Sequence, residues 1–145
     1  MQTPAGKPSS LAKPTLDTEF TIDYSWWERN ADDLRTYLLS HLLPEQRERL
    51  SQTSENRIVD FIDPETGEVT QLDELGLAIQ TAARDPNFIN PHTSLVDSVF
   101  RAFLANGNQP MTPRELEEAT GRPASLILKT LAGTRTYKGI RPYHL

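Results

Sequence analysis

The six residues Met111 to Leu116, Met-Thr-Pro-Arg-Glu-Leu, fix the start of a helix more tightly than any other stretch of the chain. Thr112 offers a side-chain oxygen to an orphan N–H, and Pro113 suits the first helical position because it has no N–H to lose. Glu115 reaches back to complete a capping box, and Met111 and Leu116 occupy the two positions of a hydrophobic staple. Gly121 can take the left-handed conformation that stops this short helix. Pro123 then opens another, with Ala124, Ile127, Leu128 and Leu131 inward and Gly133 as its stop. Upstream, Ser94 caps a longer helix in which Val96, Val99, Phe100, Phe103 and Leu104 recur at helical spacing, ended by Asn106-Gly107.

Helix, short helix, glycine turn and third helix, read from TPRELEEATGRPASLILKTL, resemble a helix-turn-helix of the winged type, over residues 95–145 only. Leu116 falls at the anchor, Gly121 at the turn, and Ile127 and Leu131 at the core contacts. The resemblance implies nucleic-acid contact from the third helix, whose outward positions are Pro123, Ala124, Ser125, Leu126 or Leu128, and Lys129. Ser125 and Lys129, with Arg122 at the helix start, are the contact candidates there. Glu117 departs from the motif, which has a small residue four before the turn glycine. After Gly133 only TRTYKGIRPYHL remains for a wing, room for one strand around Tyr137.

Charge divides the chain at about the same place. Residues 1–95 hold 8 Lys/Arg against 16 Asp/Glu, or −8, and residues 96–145 hold 7 against 4, or +3, giving the net −5. The basic part is the one suited to a polyanion. Lys129, Arg135, Lys138 and Arg141 are interleaved with Tyr137 and Tyr143, so cations for phosphates stand beside rings that can stack on unpaired bases. The same residues also fit a solvated surface that balances the acidic half, with the tyrosines packed on the core.

In the acidic part, Phe20, Ile22 and Tyr24 alternate with polar residues, so residues 19–24 are expected as a strand. Ser25 and Glu28 fit a capping box for a helix carrying Trp27, Ala31, Leu34, Leu38 and Leu42 on one face. Trp26 points about 100° away from Trp27, and is a candidate for a protein interface or for a cover over the sheet. Pro44 ends that helix and starts a polar one, EQRERLSQ. Residues 58–72 read as a β-hairpin turned by Asp63-Pro64 and Gly67, with the 19–24 strand expected beside it in a three-stranded sheet. A helix over 73–84 offers Leu75, Leu77, Ala78, Ile79 and Ala82 to packing and stops at Asp85-Pro86. The fold class is therefore α+β: a small antiparallel sheet with helices, then a three-helix unit. The expected division is a disordered tail over 1–16, an acidic region over 17–93, and a basic region over 94–145 that either stands apart or joins 17–93 in one compact domain.

Several chemistries lack their residues. The absence of cysteine removes disulfides, thiolate metal sites and cysteine nucleophiles. No run approaches the roughly 18 apolar residues of a membrane span, and the N-terminus has no apolar signal core, so a cytoplasmic protein is expected. No glycine-rich phosphate loop occurs. His41, His92 and His144 have no helical zinc spacing. Asp60, Asp63, Glu65 and Glu68 surround a turn without the spacing of a calcium loop, and are expected to be solvated. His92, Ser94 and Asp97 lack a nucleophile elbow, and Ser94 is better used as a helix cap. Neither a metal nor a cofactor is expected.

The function these features point to is a small non-catalytic regulatory protein that contacts nucleic acid mainly through phosphates, with pairing of two copies compatible with the motif. The alternative is a protein–protein adaptor, or a subunit of a larger assembly, that uses the same fold and Trp26. An acidic DNA mimic is a third class, but the carboxylates of the first 95 residues show no regular spacing.

Overall fold

The computed structural model describes residues 13–30, 33–51, 58–62, 66–67 and 69–143. Among them the elements run β1 (Phe20–Ile22), α1 (Tyr24–Arg29), α2 (Leu34–Leu39), α3 (Pro44–Ser51), β2 (Ile58–Ile62), β3 (Val69–Asp73), α4 (Glu74–Ala82), α5 (Leu95–Ala105), α6 (Pro113–Thr120), α7 (Ala124–Leu131) and β4 (Ile140–Pro142). The class is α+β, as the sequence implies. Most of the expected 1–16 tail lies outside the described residues; Thr15 and Thr18 form a turn at its end.

One apolar core draws on helices and strands from both charge halves, including Phe20, Trp27, Leu75, Phe100, Phe103, Leu116, Ile127 and Ile140. The strand β1 lies near its centre. It pairs antiparallel with β4 in the register Phe20↔Pro142, Thr21↔Arg141, Ile22↔Ile140. On its other side Phe20 and Met111 exchange backbone hydrogen bonds of 2.8 and 3.1 Å. Beyond Met111 the Asn108 side chain continues that side: its Oδ1 accepts the Ile22 N–H at 2.8 Å and its Nδ2 donates to the Ile22 carbonyl at 3.0 Å. An amide side chain thus takes the place of a strand residue, and the buried backbone polar groups are satisfied.

The expected three-stranded sheet is not formed. Hairpin β2–β3 is present in the register Ile58↔Asp73 to Ile62↔Val69, but among the described residues it pairs with no third strand, and it packs on α4. Burial decides the place of β1. Phe20 is 0% and Ile22 3% exposed, and the element they cover is α5, so the strand is drawn to the α5 side of the core. The strand expected around Tyr137 is displaced to Ile140–Pro142, because Lys138 (φ +55°) and Gly139 (φ +79°) turn the chain first. A Cβ on Gly139 would lie 2.9 Å from the Asp23 carbonyl and 3.0 Å from Trp27 Nε1, so the turn needs glycine for space as well as for φ. The outer edge of β4 is blunted: the Ile140 N–H goes to the Tyr137 carbonyl and Pro142 has none.

The single helix expected from Ser25 to Leu42 is two. Asp23, not Ser25, caps α1, accepting the Ser25 N–H at 3.0 Å and hydroxyl at 2.5 Å. Asn30 ends α1 with its backbone N–H and Nδ2 both on the Trp26 carbonyl. Asp33 opens α2 by accepting from the Thr36 N–H at 3.1 Å. Asp and Asn so placed satisfy the backbone locally and compete with a continuous helix.

The last three helices start and stop where the sequence places them. Ser94 caps α5, the Thr112–Glu115 capping box closes in both directions, and Gly121 takes φ +75° at the end of α6. Pro123 gives α7 no side-chain cap. Glu117 supplies it from the preceding helix, its Oε1 accepting the Ala124 N–H at 2.7 Å. The residue that departs from the helix-turn-helix pattern therefore ties α6 to α7, and α6 packs on both α5 and α7.

Replacing Asn108 tests its role as a strand substitute. Asn108 has φ 60°, so alanine loses both the Ile22 bonds and the tolerance for that backbone. Asn108→Ala is expected to lower the unfolding free energy by roughly 3 kcal/mol, and Asn108→Gly, which keeps the backbone relaxed, by roughly 2 kcal/mol. Urea denaturation checks this, and a loss under about 0.5 kcal/mol in both variants would contradict it.

Candidate functional site

Five basic side chains, a serine and two tyrosines are expected to face a polyanion, and the fold spends them differently. Arg122, at the start of α7, turns back: its Nη2 donates to the carbonyls of Pro91 and Thr93 in the segment before α5. Lys138 lies over aromatic rings, its Nζ 4.7 Å from the Tyr37 centroid and 5.9 Å from that of Trp27. Arg141 donates to Asp23 Oδ2 at 3.3 Å, an oxygen that also takes Arg29 at 3.5 Å. Arg135 is exposed, with its guanidinium 5.1 Å above the half-buried Tyr137 ring. Ser125 and Lys129 stand exposed on α7 beside Leu126, which is 46% exposed. Among the described residues Lys129 and Arg135 make no ion pair.

Around Arg141 the surface is concave. A groove of about 430 Å³ runs over the β1–β4 ladder, lined by Thr21, Ile22, Asp23, Tyr24, Asn108, Arg141, Pro142 and Tyr143. Tyr24 and Tyr143 are 41% and 40% exposed as residues, and burial of the Tyr24 hydroxyl raises its pKa, so Tyr24 is partly packed at its tip. Hydrogen bonds from Ser25, together with the Arg29 guanidinium, hold the Asp23 carboxyl below its usual range, so it stays charged. Tyr24 is absent from the sequence-based contact set because the Phe20–Ile22–Tyr24 alternation turns it inward. The helix begins at Tyr24 itself, and the change of period brings it to the surface.

Beneath this surface a polar network joins the two charge halves. Tyr37 of α2 donates to Asp97 of α5 at 2.5 Å, and Arg101 Nε donates to His41 Nδ1 at 2.9 Å. Arg101 also donates to the Phe88 carbonyl at 2.6 Å. His41 stacks on Phe100 and meets Tyr37 edge-on. Burial, and secondarily the Asp97 hydrogen bond, raise the Tyr37 hydroxyl pKa. Burial pushes His41 down to about 4, and the Arg101 charge acts in the same direction.

The other motif candidates separate. Trp26 is half-buried, edge-on to Trp27 at 5.2 Å, and packs against the core. Ser94 spends its oxygen on the Asp97 N–H, Asp97 accepts from Tyr37, and His92 is exposed, so these three do not form a triad. Asp63, Glu65, Glu68 and His144 lie outside the described residues. Among the described residues no group of His, Asp or Glu is placed to hold a metal, and no helix is long and apolar enough to cross a membrane.

His41 gives the network a pH signature. Between about pH 6.5 and 4 the unfolded chain holds a proton on this ring that the native state lacks, so stability falls as pH drops through that window. The full loss is about 3 kcal/mol. His41→Gln keeps an acceptor for Arg101 and removes the titrating ring, so urea midpoints at pH 7, 5.5 and 4 should show a shallower decline than the parent protein. Equal declines would contradict the assignment.

No family model, no curated protein and no solved structure matches this chain.

Proposed function

We propose that this chain is a small, non-catalytic, cytoplasmic regulatory protein that contacts nucleic acid, mainly through phosphates, with α5, α6 and α7 acting as a helix-turn-helix-like unit. The observation that carries this reading is the exposed placement of Lys129, Arg135 and Arg141 on the basic third of the chain. Arg141 counts with the other two because its pair with Asp23 is solvent-exposed, and an exposed pair exchanges partners at little cost. The outward face of α7 holds Pro123, Ser125, Leu126 and Lys129, with no Arg, Asn or Gln to read base edges. Binding that positions on the backbone without reading sequence follows from that composition.

Three phosphate contacts give a modest salt dependence. Affinity for duplex DNA is expected to fall about 40-fold between 50 and 200 mM salt, from a slope of about −0.9 per contact. Fluorescence anisotropy with generic oligonucleotides measures this. The triple variant Lys129→Ala, Arg135→Ala, Arg141→Ala should lose salt-sensitive binding, whereas Arg122→Ala should leave the slope unchanged because Arg122 is engaged with the Pro91 and Thr93 carbonyls. No binding at 50 mM salt, or an unaffected triple variant, would overturn the proposal.

A second reading, as a protein adaptor, is favoured by one observation. Leu126 is exposed on α7, and Glu115, Glu117 and Glu118 are exposed on α6, and exposed apolar and acidic side chains suit a protein better than a polyanion. Nuclease-resistant co-purification of a partner that Leu126→Asp abolishes and the triple variant spares would replace the first reading with this one.

A further inference from the structure

We infer that the groove between Tyr24 and Tyr143 takes one unpaired nucleotide of a single strand, its base against the tyrosine rings and its phosphate on Arg141. This rests on the nucleic-acid reading above and names the form of nucleic acid recognised. Tyr24 and Tyr143, 41% and 40% exposed, line the same groove and present two aromatic side chains to it. A base offers a flat π-face whatever its identity, so paired aromatic walls hold it without reading its edges. Paired bases within a duplex have no free face to offer.

Charge is the second support. Among the described residues Asp23 is the one carboxylate lining the groove, and it is shared between Arg29 and Arg141, at 3.5 and 3.3 Å. Two guanidinium groups on one carboxylate leave a surplus of one positive charge. Arg141 can turn its planar fork to a phosphate while Arg29 keeps Asp23 paired. The Asn108 amide is oriented by its two bonds to Ile22, so it walls the groove and leaves the charged contact to Arg141. At about 430 Å³ the groove lies toward the lower end of the ~300–1,000 Å³ that ligand pockets occupy, in keeping with one nucleotide.

The test is anisotropy of the full chain with a labelled 12-nucleotide oligo-dT, the corresponding duplex, and a labelled acidic peptide containing aromatic residues. The single strand is expected to bind more tightly than the duplex. Tyr24→Ala and Tyr143→Ala should each weaken it about tenfold, whereas Tyr24→Phe and Tyr143→Phe, which keep the ring, should retain most of the affinity. Retention in the Phe variants also separates lost stacking from lost folding. Equal affinity for single strand and duplex with no effect of the tyrosines would overturn this inference and leave the phosphate reading standing. Tighter binding of the acidic peptide would overturn it in favour of a protein ligand. No binding of either nucleic acid at low salt would remove the parent reading and this inference with it.

Discussion

Phe20 exchanges backbone hydrogen bonds with Met111 on one side and stands opposite Pro142 on the other, while its ring is wholly enclosed by the core. The arrangement of the rest follows from that double pairing. The strand preceding α1 must sit between the residue that opens α6 and the strand that follows α7, so α1 and α2 are delivered onto α5. Trp27, Tyr37 and His41 then meet Phe100 in one aromatic cluster. Trp27 and Tyr37 meet Phe100 edge-on while His41 stacks on it, and such ring pairs stabilise beyond the area buried because their quadrupoles are matched.

The polar groups beneath the surface follow from the same packing. Once α2 lies on α5, Tyr37 and His41 are carried out of water and their polar atoms need partners. Asp97 and Arg101, one turn apart on α5, supply them for the Tyr37 hydroxyl and His41 Nδ1, while His41 Nε2 is buried without a partner among the described residues. Burial lowers the affinity of His41 for a proton, and the neighbouring Arg101 makes a second cation there costlier still. A cation is left outside where its element has no carboxylate or ring opposite it. Lys129 on the outer face of α7 is in that position, Arg135 in the segment after it meets only the Tyr137 ring and stays exposed, and Lys138 is folded over Tyr37 by the turn at Gly139.

The Thr112 capping box, the Gly121 stop, the Ser94 cap and the hairpin over 58–72 are written in four to fifteen neighbouring residues and are legible there. Where local signals compete they are not: Asp23 takes the cap that the Ser25–Glu28 spacing offers, and Asn30 and Asp33 split the helix. Long-range pairing was not legible. Nothing in Phe20-Thr21-Ile22 says that its partner lies about 120 residues away rather than in the nearer hairpin, since alternation specifies a face and not a neighbour. The Asn108 side chain standing in for a strand, and Glu117 capping a helix that starts seven residues later, are invisible for the same reason. The site suffered most. A run of cations in sequence says nothing of which are consumed internally, so Arg122 and Lys138 looked equal to Lys129. Tyr24 was hidden by a strand-to-helix change of period at that very residue.

The central claim is that the chain's first strand and its C-terminal helices form one cooperative unit despite their opposite charge. Native-state hydrogen exchange tests it most directly, followed at the Phe20 and Ile22 amides, which donate to Met111 and Asn108, and at the Phe103 amide within α5. The account predicts that all three exchange only through global unfolding, with one free energy and one denaturant slope. Exchange of Phe20 and Ile22 through a low-energy opening, while Phe103 stays protected, would contradict it and would make β1 an accessory strand on a self-sufficient helical unit.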